Sequence, residues 1–359
     1  MTNSAEIRFV GVLRWLMWLV MILSVAACAA RPDVDALAVK REIPEPYRTV
    51  TVITATDRQR DSTGIGYTAD RSLRLRFERF TVASSAPRKG MSNARPVTQP
   101  SGARKYVVIR REAMAVEDMN INNGILIYVH GYNYTFQESL FQLARIVFDG
   151  RLNETPILFS WPSEGTVTGY VADKDAAAYA RDDLVELLSG LKKRHSKGSV
   201  TLFGHSMGAW IVVESLRQLK LSNRDDVLRR INQVVLAAPD IDFDLFKRQV
   251  KAIGPLARPM ILLSSPDDRA LAISSRIGGS RVRIGSVRAE NSAVKELIAG
   301  NAIEVVDLST LPTPDRTNHN RFIGLVGALS GSEKRRKTLL EGGLSEVWSR
   351  ASAIKGTKG

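Results

Sequence analysis

The chain has 359 residues, 44% of them hydrophobic, and a formal net charge of +14, enough to bury a sizeable core in one large α/β domain or two small ones. Its single cysteine, Cys28, excludes an internal disulfide and a zinc site of clustered cysteines. The basic excess suits anionic lipid headgroups or anionic substrates, but no recognisable nucleic-acid module accompanies it, which argues against a nucleic-acid partner.

At the N-terminus, Arg8 and Arg14 precede the uncharged, apolar run Trp15 to Ala27, broken only by Ser24, with small residues at its end. This is the layout of an export signal, and the run is shorter than the roughly 20 apolar residues of a membrane-spanning helix. An uncleaved N-terminal anchor is the alternative. Val25-Ala26-Ala27-Cys28 resembles the lipobox of bacterial lipoproteins, in which the cysteine is lipidated and becomes the mature N-terminus. The expected layout is a signal over 1–27, a lipid-anchor cysteine and linker over 28–47, and a catalytic domain over 48–359. By the same resemblance, alanine rather than aspartate at residue 29 favours the outer membrane of a Gram-negative envelope.

Residues 29–47 are polar, with three prolines, and read as a tether. "RTVTVITAT" from 48 and "KYVVIRRE" at 105–112 alternate as strands do, and the stretch 84–103 between them reads as a loop. From 125 onward, short apolar runs alternate with helical stretches: 125–129, 156–161, 199–203, 232–238, 259–265 and 302–308. Continuous apolar strands separated by helices imply a mostly parallel, doubly wound α/β sheet covered on both faces. The stretch 175–194 is an amphipathic helix with acids early and bases late, as the macrodipole favours. Glu333 to Lys337 reads as a solvated helix face.

In open α/β sheets, ligands bind beyond the carboxyl ends of the strands. There, Gly204-His205-Ser206-Met207-Gly208 follows one strand and opens a helix. A GxSxG at such a junction is a nucleophile elbow that exposes Ser206 and turns the Met207 N–H toward a developing oxyanion. After "ILIYV" comes His130-Gly131-Tyr132-Asn133, where the bend points a second N–H, that of Tyr132, inward. Serine needs a base. Of four histidines, His130 belongs to this loop and is expected to bond its backbone, His205 is expected to point away, and His195 lies in a surface-like stretch. That leaves His319, which also fits the chain order serine, acid, histidine. For the acid, Asp268 is favoured, Asp267 comes next, and Asp240 is the migrated alternative; those not used as acid would cap helices. Trp161, Tyr132, Tyr134 and Phe136 are candidates for an acyl pocket or for core.

Together, Ala55-Thr56-Asp57-Arg58, "HGYN", "FSWPSEG" (159–165), "GHSMG", "APDID" (238–242) and "DDRAL" (267–271) resemble a bacterial α/β-hydrolase family catalogued as a domain of unknown function, over about residues 50–325. The resemblance implies an esterase-like α/β-hydrolase fold and places Asp268 at that family's acid, just before Arg-Ala-Leu. The expectation is an exported, lipid-anchored serine hydrolase acting on acyl esters, with Ser206, Asp268 and His319 as triad and no metal or organic cofactor. The competing class is a retired hydrolase-fold lipoprotein serving as a binding or envelope-organising module.

Overall fold

The computed structural model describes residues 31–42, 47–85, 106–119, 121, 124–194, 200–311, 313 and 315–329. Cys28, His195, most of the 84–103 stretch and the run 333–337 lie outside them.

Nine strands form one sheet among the described residues, in the order β3-β2-β1-β5-β4-β6-β7-β8-β9. Five short strands make its centre and one edge: β4 (Ile125–Val129), β5 (Thr155–Ser160), β6 (Val200–His205), β7 (Ile231–Ala237) and β8 (Met260–Ser264), with β9 (Ile303–Asp307) outermost. All of these pair in parallel. β4 and β8 are buried at every residue, the condition under which a strand loses its polar alternation. In β4, Ile125, Ile127 and Val129 join the core on one face while Leu126 and Tyr128 join the core on the other.

α2 (Tyr170–Arg194), α3 (Met207–Leu221) and α4 (Phe243–Ile253) cover the first face, contributing Leu184, Leu216 and Phe246 to its core. α1 (Phe136–Gly150) and α7 (Arg321–Leu329) cover the second, contributing Leu140, Phe141 and Phe322. Two shorter helices, α5 (Arg269–Ile277) and α6 (Ser292–Ala299), complete the crossovers after β8. The doubly wound expectation therefore describes this chain.

The N-terminal third departs from it. β1 (Tyr47–Arg60), β2 (Tyr67–Ser85) and β3 (Tyr106–Met114) form an antiparallel extension, and β1 joins the parallel sheet through β5, with Ile53 opposite Ile157. The stretch read as a tether is also different: Val34–Leu37 forms a 3-10 turn, Leu37 is fully buried, and the Lys40 N–H donates to the Val108 carbonyl at 2.8 Å.

α3 enters against the carboxyl end of β4 so closely that a Cβ on Gly208 would fall far inside van der Waals distance of the Val129 and His130 carbonyl oxygens. Only glycine permits this approach. Gly208→Ala should therefore lower stability by about 3 kcal/mol, read as a lower urea midpoint at unchanged slope; an unshifted midpoint would mean that α3 can retreat from β4.

Candidate active site

β6 ends at His205 and α3 begins at Met207, leaving Ser206 at φ 53°, ψ −119°. A non-glycine residue held there costs about 1–3 kcal/mol. Three hydrogen bonds fix it: its N–H donates to the Ala237 carbonyl at 2.9 Å, and its carbonyl accepts from Ala209 at 3.1 Å and Asp240 at 3.2 Å. Ser206 is 4% exposed and forms the floor of the site. The loop after β4 lies directly on it, since a Cβ on Gly131 would sit 3.1 Å from Ser206 Cβ. Tyr132 follows, then Asn133 in the left-handed region at φ 63°. The first N–H groups of a helix have no intrahelical partner, so both the start of α3 and the residue-132 bend border the serine with backbone donors.

The three candidate acids separate by geometry. Asp268 is buried, and its Oδ2 lies 2.7 Å from His319 Nδ1 while its Oδ1 accepts the Leu271 N–H at 3.0 Å. One carboxylate thus both caps α5 and holds the histidine, two roles that had been set against each other. Asp267 turns outward to a two-pronged pair with Arg321 at 2.5 and 2.7 Å and accepts from Asn318 Nδ2 at 3.0 Å. Asp240 accepts from Tyr170 Oη at 2.8 Å and Ser274 Oγ at 2.6 Å, and pairs with Arg283 at 3.2 Å.

His319 is also held through its backbone. The Asp315 carboxylate accepts the N–H groups of Thr317, His319 and Asn320 at 2.8, 3.2 and 2.8 Å. Burial works against the charged imidazole, but Asp268, by charge and hydrogen bond, with Asp315 and Asp240 behind it, holds His319 above the ordinary histidine value.

The other described histidines behave differently. His130 is buried, stacked on Trp161 at 5.1 Å, and its Nδ1–H donates to the Gly131 carbonyl at 2.8 Å. Burial, then the positive charge of Arg58, push it down to about 3, so it is neutral. His205 does not point away from the site. It is buried with its ring 4.8 Å from that of His319, and burial, then His319, hold it far below the ordinary value. Trp161 and Phe136 are fully buried core residues, not pocket walls. Tyr134 donates from Oη to Asn320 Oδ1 at 3.2 Å and meets the His205 ring edge-on at 6.1 Å.

Two further residues anchor this region: Arg58, within the Ala55–Arg58 motif of the resemblance, and Asp173, which no motif marks. Arg58 is buried, and its guanidinium donates to the carbonyls of Thr68, Ser163 and Tyr134 at 3.1, 3.0 and 2.9 Å. Asp173 accepts the N–H groups of Asn133 and Glu164 at 3.2 and 2.7 Å. Each binds segments many residues away, which no local pattern reveals.

A cleft of about 300 Å³ opens beside Met207, between α2 and α4, with Ala177, Ala178, Trp210 and Leu245 among its walls and the Asp240–Arg283 pair at one side. Among the described residues no cluster of histidine, cysteine and acidic side chains could hold a metal ion.

Residues 112–327 match the family described as "Alpha/beta hydrolase of unknown function (DUF900)". An uncharacterized protein of Nostoc sp. is 25% identical over 189 residues, 45% of this chain and 49% of that protein, so the chain spans about half of that relative. Among solved structures, a serine hydrolase without a lid from Xanthomonas campestris is 12% identical, with a TM-score of 0.38 over 84% of this chain and 98% of that one. A thermostable esterase from Pseudomonas putida is 11% identical, with a TM-score of 0.38 over 88% and 86%. The family match, which spans more than half of the chain, carries the assignment: the protein is an α/β hydrolase of the DUF900 family.

Proposed function

We infer that this hydrolase cleaves acyl esters through Ser206, His319 and Asp268. The observation that carries the reading is the 2.7 Å bond between Asp268 and His319, whose ring lies 4.8 Å from that of His205, the residue that precedes Ser206 in the strained turn between strand and helix. Asp268 orients the imidazole so that its Nε2 takes the Ser206 proton as Oγ attacks the ester carbonyl carbon. The N–H groups of Tyr132 and Met207 receive the oxyanion. Collapse breaks the carbonyl–alkoxy bond, and the alcohol leaves with the proton from His319. A water then attacks the acyl-serine by the same route in reverse, releasing the acid and restoring Ser206.

The cleft beside Met207 belongs to the α2–α4 face, whereas His319 adjoins His205, whose ring meets Phe322 of the opposite face. The leaving group must lie on the His319 side to collect its proton. The acyl chain therefore takes the cleft, lying along its Ala177, Ala178, Trp210 and Leu245 side.

We also infer that the chain is exported and held in the envelope, at the outer membrane if the host is Gram-negative, by lipid on Cys28. The lipobox-like Val25 to Cys28 supports this.

Ser206→Ala should be folded, unlabelled by a fluorophosphonate probe and inactive on an activated ester; turnover near the wild-type rate would exclude the elbow. Asp268→Asn should lower kcat by about 10⁴, while Asp267→Asn stays near wild type. Asp240→Asn should keep its kcat but lose about 3 kcal/mol of stability, because Arg283 is left buried without its charge partner. A dead Asp240→Asn with an active Asp268→Asn would move the acid to the earlier strand.

The base works only when neutral. Because Asp268 raises the His319 value, kcat/KM should be low in acid and rise through a midpoint above the ordinary 6.5. In the residual activity of Asp268→Asn that midpoint should move to lower pH; an unmoved limb would detach His319 from the profile. For the anchor, Cys28→Ser should no longer incorporate labelled fatty acid in the producing cell, and incorporation at the wild-type level would refute the lipobox.

A further inference from the structure

The first residues of the described chain are bound to the rim of the active site. Arg31 grips Glu138 with Nε at 2.7 Å and Nη2 at 2.5 Å, and donates from Nη1 to Asn133 Oδ1 at 3.0 Å and the Gly165 carbonyl at 2.7 Å. Asn133 adjoins Tyr132, the residue assigned above to the oxyanion. Beyond Arg31, the turn at Val34–Leu37 pins the chain again through buried Leu37. Residues 31–42 are therefore not a free spacer that would let the domain roam.

Three residues of chain reach at most about 11 Å. A lipid on Cys28 is thus tied to within that reach of Arg31, and an uncleaved run from Trp15 to Ala27 would leave the membrane at the same place. Beside that point stand Val167 and Val171, 74% and 68% exposed. Val167 is two residues from the carbonyl that Arg31 holds, and its own carbonyl accepts Tyr132 Oη at 2.9 Å. Val171 lies in the first turn of α2, and Lys174, exposed one turn later, also lines the acyl cleft. Arg71 stacks over Tyr179 of the same helix at 5.1 Å. The rim also carries exposed acids, Asp175 and Glu164, with Asp33 and Asp35 just after Arg31 and Asp70 beside Arg71.

We propose that this rim, Val167 and Val171 with Lys174 and Arg71 beside them, rests in the headgroup layer of the membrane that holds the N-terminal anchor, so that the site takes its acyl esters from that bilayer. Exposed apolar side chains next to a site mark interaction surfaces, and flanking cations favour anionic lipid. The docking geometry rests on the anchoring reading, and only the choice of substrate rests on the hydrolase reading.

Full-length lipidated protein is reconstituted into vesicles of phosphatidylethanolamine and phosphatidylglycerol, carrying an environment-sensitive fluorophore at Val171→Cys or, as control, at Asn153→Cys. Asn153 is exposed just before β5, at the opposite end of the strands. Brominated lipids should quench the residue-171 probe at least about twofold more than the residue-153 probe. Equal quenching, or protein that does not float with the vesicles, overturns the proposal. In parallel, Val171→Glu should cut hydrolysis of a long-chain ester dissolved in the vesicles about tenfold, with kcat/KM on a soluble short-chain ester unchanged. Equal losses on both substrates, or none, overturn it. A wild-type protein inert on both esters defeats the hydrolase reading instead, while the quenching comparison still decides the docking.

Discussion

The guanidinium of Arg58 is the constraint on which the site's geometry depends. It is a buried cation at the carboxyl end of β1, and burial lowers its value to about 10, which leaves it charged at neutral pH. A charge so placed must be solvated by the protein itself. Here carbonyl groups of three segments serve: the start of β2, the loop after β5 and the loop after β4. Each segment satisfies the cation only in one position, so the requirement to solvate one charge fixes the relative placement of all three. The loop that packs on Ser206 is among them. The strain at Ser206 can persist because its surroundings are tied from this side by Arg58 and from the other by the Ala237 and Asp240 hydrogen bonds.

Burial alone would leave every imidazole near this site neutral, as it does for His130 and His205. His319 escapes because a buried carboxylate is bonded to it. Asp268 is itself supported by the N-terminus of α5, whose Leu271 N–H it accepts. The helix thus stabilises the carboxylate, the carboxylate selects which histidine takes the proton, and the neutral His205 ring packs against His319 at 4.8 Å. The same chemistry with Asp267 would fail, because that carboxylate is committed to Arg321.

The parallel half of the sheet was legible because strands buried on both faces must be continuously apolar, and β4 to β9 are marked in the sequence by their runs. β2 was not, because one of its faces meets solvent: Arg71, Arg74 and Arg76 are exposed, and register shifts near Arg58 break the alternation that would mark a strand. In the mostly polar 29–47 stretch nothing marks Leu37 off from Val34 and Val39, because its burial is decided by β3, some 70 residues along the chain. At the site, residue types and chain order pointed to Ser206, His319 and Asp268, but the division of work among Asp240, Asp267 and Asp268 is a matter of side-chain partners. The Arg31 clamp and the Asp315 turn are likewise invisible to local pattern. The loop that packs over Ser206 is also not written into the elbow motif.

The way β1 joins the sheet also sets an order of assembly. Its antiparallel partner β2 follows within a few residues, while its parallel partner β5 is roughly a hundred residues further along the chain. Contacts of short separation form first, since long loops close slowly. The β1–β2–β3 meander can therefore form early, with the second edge of β1 open, its buried Val52 to Asp57 stretch uncovered until β5 docks. Such an edge invites pairing with another copy. The nascent chain is most exposed to aggregation in the interval between making β3 and making β5, and mutations that slow α1 and β5 should act on yield before they act on the folded enzyme.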